Sequence, residues 1–87
     1  VKTIFKYPLT TDAPFVVTPV GAQILCVQVQ RGTPCLWALV ERDAPLERRH
    51  FMIYGTGHPH DGGGVYVGTY QLEGGALIFH VFERGRP

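Results

Sequence analysis

The chain has 87 residues, 45% of them hydrophobic, with eight Lys and Arg against seven Asp and Glu for a net charge of +1. That length makes one domain, residues 1–87, whose folding hides only roughly 60–65% of the surface its unfolded form exposes, so partner subunits or other staples are expected to add stability. The near-neutral balance excludes the basic excess with which nucleic-acid binders neutralise phosphates, and no run of ~20 apolar residues is present to span a membrane.

The opening Val1-Lys2-Thr3-Ile4-Phe5-Lys6-Tyr7 has no long apolar core behind its charge and does not read as a signal peptide. The absence of an initial Met reads as an initiator removed or left unnumbered, and nothing directs the protein out of the cytoplasm. Lys2 to Tyr7 reads as a first strand, stopped by Pro8. Thr10-Thr11-Asp12-Ala13-Pro14 is turn chemistry, and Phe15 to Thr18 is a short extended piece limited by Pro19, which suits a sheet edge.

Ala22 to Gln30 is the clearest strand. Leu25, Val27 and Val29 alternate with Cys26, Gln28 and Gln30, which predicts one core face and one wetter face. Arg31-Gly32-Thr33-Pro34 turns the chain near Gly32. Cys35 to Glu41 follows, apolar on both faces, as a strand covered on both sides reads. In this hairpin Cys26 falls opposite Trp37 or Ala38 and not opposite Cys35, so the two cysteines are expected to be free, buried thiols.

Arg42 to Glu47 reads as a loop or one helical turn. Arg48 to Tyr54 is a fifth strand, in which Arg49, Phe51 and Ile53 alternate with His50, Met52 and Tyr54. Gly55 to Gly64 is the longest irregular stretch, with five glycines in ten residues. Val65 to Tyr70 and Ala76 to Glu83 are further strands joined by a Glu73-Gly74-Gly75 turn, the second again apolar on both faces. Arg84 to Pro87 reads as a frayed tail. No window has helical apolar spacing. The expected fold is all-β: a single small antiparallel β-sandwich or barrel of about six to seven short strands.

The Gly55-Thr56-Gly57-His58-Pro59-His60-Asp61-Gly62-Gly63-Gly64 loop is the first candidate for chemistry. Glycines let backbone N–H groups converge on an anion, while Thr56, His58 and His60 offer side-chain donors. No Gly-Lys-Ser/Thr and no following helix makes it a nucleotide-fold fingerprint, and a plain flexible hairpin loop has the same composition. Arg48 and Arg49 offer planar forks for phosphate, or else form a solvated strand end balanced by Glu47. Trp37 is either core or a flat surface for a ring, and Tyr54 and Tyr66 flank the loop as caps or half-buried strand residues. His58, His60 and Asp61 make half of a zinc pattern without a second half, so no metal or other cofactor is expected. The chain has no serine for a nucleophile elbow, neither cysteine sits in a catalytic signature, and no carboxylate pair stands out, so no enzymatic activity is expected.

The segments Lys2-Thr3-Ile4-Phe5-Lys6-Tyr7-Pro8-Leu9, Cys35-Leu36-Trp37-Ala38-Leu39-Val40, Gly55-Thr56-Gly57-His58-Pro59 and Phe79-His80-Val81-Phe82-Glu83 resemble a family of small proteins encoded by bacteriophages and prophages. The resemblance spans nearly the whole chain and assigns no residue a role. It implies a compact protein acting in the cytoplasm of an infected bacterium. By analogy it is similar to phage anti-defence sponges, small homo-oligomeric β proteins that sequester nucleotide-derived immune signals such as cyclic ADP-ribose variants.

The leading expectation is therefore a homo-oligomeric binder of a small nucleotide-like ligand. Its site would be built from Trp37, Arg48, Arg49, Tyr54, Gly55, Thr56, Gly57, His58 and His60. The alternative is a phage inhibitor or accessory protein that binds a host protein through an exposed β edge or apolar patch. A metal-dependent hydrolase using His58, His60 and Asp61 is the third reading.

Overall fold

Period-two alternation with turn residues at each break leaves the backbone little choice but short antiparallel ladders. The computed structural model describes residues 1–10 and 15–85, and in it seven strands form: β1 (Lys2–Pro8), β2 (Phe15–Pro19), β3 (Gln23–Gln30), β4 (Thr33–Glu41), β5 (Leu46–Gly55), β6 (Val65–Leu72) and β7 (Leu77–Glu83). A single 3₁₀ turn, Glu73–Gly75, links the last two. The strands make two antiparallel sheets, β1-β4-β3 and β2-β5-β7-β6, packed as a sandwich. The fold is all-β as expected, and of the two expected architectures, sandwich or barrel, it is the sandwich. The turn expected over Thr10 to Pro14 lies mostly outside the described residues, as do the last two residues of the expected tail.

Turn chemistry sets the hairpin registers. Arg31 and Gly32 both have positive φ, 50° and 80°, so β3 and β4 are joined by a two-residue turn of the hairpin-favouring hand. The turn is tighter than the four residues expected, and Thr33 and Pro34 already belong to β4. Cys26 lies opposite Trp37 and Cys35 opposite Gln28, so the thiols sit at different rungs and both are free. β5 begins at Leu46, two residues earlier than expected, after a turn closed by Ala44 N–H donating to Glu41 O at 3.0 Å. Pro19 ends β2 on a sheet edge, as its missing N–H demands.

One expected face is corrected. Strict alternation puts Leu25 with Val27 and Val29 on the core face, but a β-bulge between Ile24 and Cys26 resets it. Ile24, Val27 and Val29 face inward, and Leu25 is left 44% exposed.

Between the sheets Val16, Val27, Leu36, Phe51, Tyr70 and Val81 form the main core, continued by Ala22, Ala38 and Val40. Burial pushes the Tyr70 phenol above its usual range. Along one side β3 and β6 come close. A Cβ at position 68 would lie 2.7 Å from a Val27 methyl, so only glycine permits the approach. At one end Arg49 enters the core from β5 and is 5% exposed. Its guanidinium binds the Glu83 carboxylate through Nε and through Nη2 at 2.9 Å, and it donates from Nη1 to Ala22 O at 2.8 Å. Glu47 adds a second carboxylate at 3.9 Å. The hydrogen bond to Glu83 is the main reason the Arg49 pKa lies above its ordinary value.

Arg49→Met should therefore lower the unfolding free energy by about 3–5 kcal/mol, because Glu83 would stay inside without its partner. An Arg49→Met, Glu83→Met double variant should recover much of that loss. Urea unfolding midpoints of the three chains check both statements.

Candidate functional site

The Gly-rich loop folds back on the outer face of the four-stranded sheet. Thr56 N–H donates to Ile78 O at 3.2 Å and His58 N–H to Gly55 O at 3.0 Å, which makes a tight turn around Gly57 at φ 83°. The His58 ring then lies over Gly55, where a Cβ would come within 2.8 Å of it. Beyond Pro59 the His60 ring packs against Tyr54 and Phe82, with centroid separations of 4.2 and 4.5 Å, and Tyr66 closes on Phe82 from β6 at 5.4 Å. Gly62 N–H donates to His60 Nδ1 at 2.7 Å and Gly63 N–H to Asp61 Oδ1 at 2.8 Å. The amides of Thr56, His58, Gly62 and Gly63, which an anion would need, are thus engaged inside the loop.

His80 stands beneath the loop. Its Nε2 lies 2.7 Å from Thr56 Oγ1 and its Nδ1 2.9 Å from Thr69 Oγ1, which in turn is 2.6 Å from the Tyr66 hydroxyl. This chain of polar groups fastens the loop to β6 and β7. In the sequence His80 stood as an isolated strand histidine, because only the β6–β7 register, with Thr69 opposite His80, brings its partners together. A small cavity of about 220 Å³ lies between Gly55, Thr56 and His58 on one side and Leu77 and Phe79 on the other, with no Lys or Arg in its wall.

Tyr54, Gly55, Thr56, Gly57, His58 and His60 are therefore one cluster, and the two arginines and the tryptophan expected beside them are elsewhere. Arg49 points into the core. Arg48 shares the outer face with Tyr54 but sits six residues up the strand, roughly 20 Å away, with its guanidinium 4.8 Å over the Phe15 ring. Trp37 lies on the outer face of the other sheet. His60 Nδ1 and Asp61 Oδ1 accept loop amides, and among the described residues no cluster of three or more His, Cys, Asp or Glu is arranged to hold a metal ion.

The outer face around Trp37 is a second, differently built candidate. β4 presents Thr33, Cys35, Trp37 and Leu39 there. Register sets Lys6 of β1 on one side of Trp37 and Cys26 of β3 on the other. Two shallow cavities lie side by side. One, of about 290 Å³, is walled by Ile4, Leu25, Cys26, Gln28 and Trp37. The next, of about 410 Å³, is walled by Lys6, Pro8, Gln30, Arg31, Thr33 and Cys35. No acid lines either one. Lys6 donates from Nζ to Gln30 Oε1 at 2.6 Å, which holds the ammonium over the sheet. Lys6, Gln28, Gln30 and Arg31 were not singled out from the sequence. The available signal was the strand pattern: residues alternating outward on β1 and β3 must flank an outward Trp37.

The glycines of the loop make a checkable contrast. Gly62 and Gly64 both have positive φ, 87° and 85°, but a Cβ meets nothing at Gly62, whereas at Gly64 it would lie 2.9 Å from Glu83 O and 3.1 Å from Phe82 Cβ. Gly62→Ala should cost only the backbone strain of about 1 kcal/mol. Gly64→Ala should cost more, by about 1–3 kcal/mol of overpacking, and should release His60 from the sheet. Urea titration, with the His60 ring resonances as local reporter, separates the two.

A family model described as a domain of unknown function (DUF7352) matches residues 1–87, and the chain belongs to that family. No curated protein and no solved structure matches it. Among the described residues no helix is long and apolar enough to cross a membrane.

Proposed function

We propose that this domain is a non-enzymatic binding protein that sequesters a small nucleotide-like ligand, and that the ligand lies on the outer face of the three-stranded sheet. The observation that carries this reading is the juxtaposition of Trp37, in an apolar cavity with Ile4 and Leu25, and a neighbouring cavity walled by Lys6 and Arg31 with no acid. A flat ring fits the first, where an indole offers stacking worth about 1–3 kcal/mol. Phosphates fit the second, where two cations and the Gln30 and Thr33 side chains offer charge-assisted hydrogen bonds.

Arg31 lends a further argument. It occupies a left-handed turn position, φ 50°, that Asn or Gly fills at less cost. Strain of this kind collects where a side chain is needed for something other than the turn. The loop cluster of Thr56, His58 and His60 serves this reading less well, since its amides are used internally and no arginine stands beside it. The resemblance of the chain to phage and prophage proteins makes a host immune nucleotide the first ligand to try.

A second reading, docking of a host protein on this face, draws on the exposure of Ile4 at 55%. Trp37 is the only tryptophan, so its fluorescence reports on this face alone. Titration with ADP-ribose and cyclic ADP-ribose variants should quench or shift the emission to saturation. Lys6→Ala and Arg31→Ala should each weaken binding about tenfold to a hundredfold by calorimetry, and Arg48→Ala should leave it unchanged. Saturable binding with both cavity variants unaffected would move the site elsewhere. No response to any nucleotide, together with no calorimetric heat, would put the protein-docking reading ahead.

A further inference from the structure

Among the described residues β1 pairs on one side only, with β4, and its other side is an open edge. The other strand edges are guarded. β2 has five residues and ends in Pro19, while β3 and β6 carry bulges and face each other across Gly68. β1 is a straight seven-residue strand with no bulge and no proline before Pro8. Ile4 and Phe5 on it are 55% and 40% exposed. An edge of this kind is a template for another strand.

The register decides which groups it offers. Leu9 N–H donates to Pro34 O at 2.8 Å, so the odd residues Thr3, Phe5 and Tyr7 exchange hydrogen bonds with β4. The even residues therefore point their backbone groups to the open side: N–H and C=O from Lys2, Ile4 and Lys6, and C=O alone from Pro8. We propose that a second copy of this chain pairs with that side of β1, antiparallel, about a two-fold axis through Phe5.

Charge and the number of ladder bonds together select this register, since two-folds at Thr3 or Tyr7 also avoid opposed lysines but pair fewer of the open even residues. A two-fold at Ile4 would set Lys2 directly opposite Lys6 of the second copy, and a two-fold at Lys6 would set the two Lys6 side chains opposite each other; both are disfavoured. Centred on Phe5, Ile4 meets Lys6 of the second copy and Lys2 meets Pro8, with no like charges opposite. Each Ile4–Lys6 pair exchanges two backbone hydrogen bonds. Each Lys2–Pro8 pair makes one, since Pro8 has no N–H, so symmetry gives about six in all. The lysines do not block the approach. Lys6 is turned back onto Gln30, and Lys2 lies opposite Glu41. At the axis the two Phe5 residues form a close, non-hydrogen-bonded pair, so half-exposed rings cover each other. The product is a six-stranded sheet whose outer face carries both Trp37 cavities.

The test is light scattering and amide exchange on the wild-type chain across a concentration series, with Ile4→Pro as the variant. Ile4→Pro removes an N–H that serves only the open side. The expected result is a two-chain mass, with the Ile4 and Lys6 amides gaining protection as concentration rises while those of Thr3, Phe5 and Tyr7 are protected throughout. Ile4→Pro should keep the wild-type circular dichroism and dimerise about tenfold to thirtyfold more weakly, as the loss of two hydrogen bonds implies. A one-chain mass at the top of the concentration series would overturn the proposal and leave the edge to a foreign strand. So would a dimer in which the Ile4 and Lys6 amides exchange freely, or a folded Ile4→Pro chain that dimerises as tightly as wild type. If Ile4→Pro does not fold, the wild-type exchange pattern decides.

Discussion

The sandwich depends on Arg49. A domain of this size has few residues to spare for its interior, yet it places a guanidinium there. The charge is tolerable because the hydrogen bonds are well made: two go to Glu83 on β7 and one to Ala22 O, where the chain leaves the four-stranded sheet to begin β3. One side chain on β5 thereby ties together a neighbouring strand of its own sheet and the entry to the other sheet. Glu47, two residues before Arg49 on β5, accepts Gly21 N–H at 3.2 Å and holds the same crossover. With that end pinned and Gly68 letting β3 approach β6, the two sheets are fixed relative to each other. Their outer faces are then free to differ.

They differ because of what covers them. β4 and β7 both read as apolar on two faces, which raised the question of what hides the second face. For β7 the chain answers it locally. The Gly-rich loop returns over the sheet and lays His60 and Tyr54 on Phe82, while Thr56 hydrogen-bonds His80. Glycine serves close packing there, most plainly at Gly64, which sits against Glu83 O and Met52. For β4 nothing among the described residues returns. Trp37 and Leu39 stay half-buried, with Ile4 and Leu25 beside them. The same sequence feature thus has two structural outcomes, and only one leaves a surface available.

This contrast also shows how far the sequence could be read. Strand positions were legible because alternation and turn residues are local signals, and the Arg31–Gly32 turn followed from its glycine. The face of Leu25 was not, because a bulge adds one residue without any local composition change. Nor was the role of Arg49. Its partner Glu83 is 34 residues away, and nothing local separates a buried arginine from the exposed Arg48 beside it. The Gly-rich loop drew attention by composition, and the structure keeps its histidines and Thr56 together. The cavities beside Trp37 went unseen because their walls come from β1, β3 and β4. Only the ladder register, which pairs Lys6 with Trp37 and Trp37 with Cys26, assembles them.

The register also changes what the net charge means. A balance of +1 argues against a polyanion as partner, because that affinity comes from many cations on one surface. A small anion needs only two or three well-placed donors, and overall neutrality does not bear on it. Several carboxylates are committed to other partners. Glu83 is held by Arg49, Asp61 by the Gly63 amide, and Glu41 by the Val1 amine at the far end of β1. Lys6 and Arg31 consequently share a cavity without an acid in its wall. The charged groups in that wall are both cations although the chain as a whole is nearly neutral. In the proposed reading, the chemistry this face recognises is set by that separation of charges, together with the tryptophan that stays half-buried there.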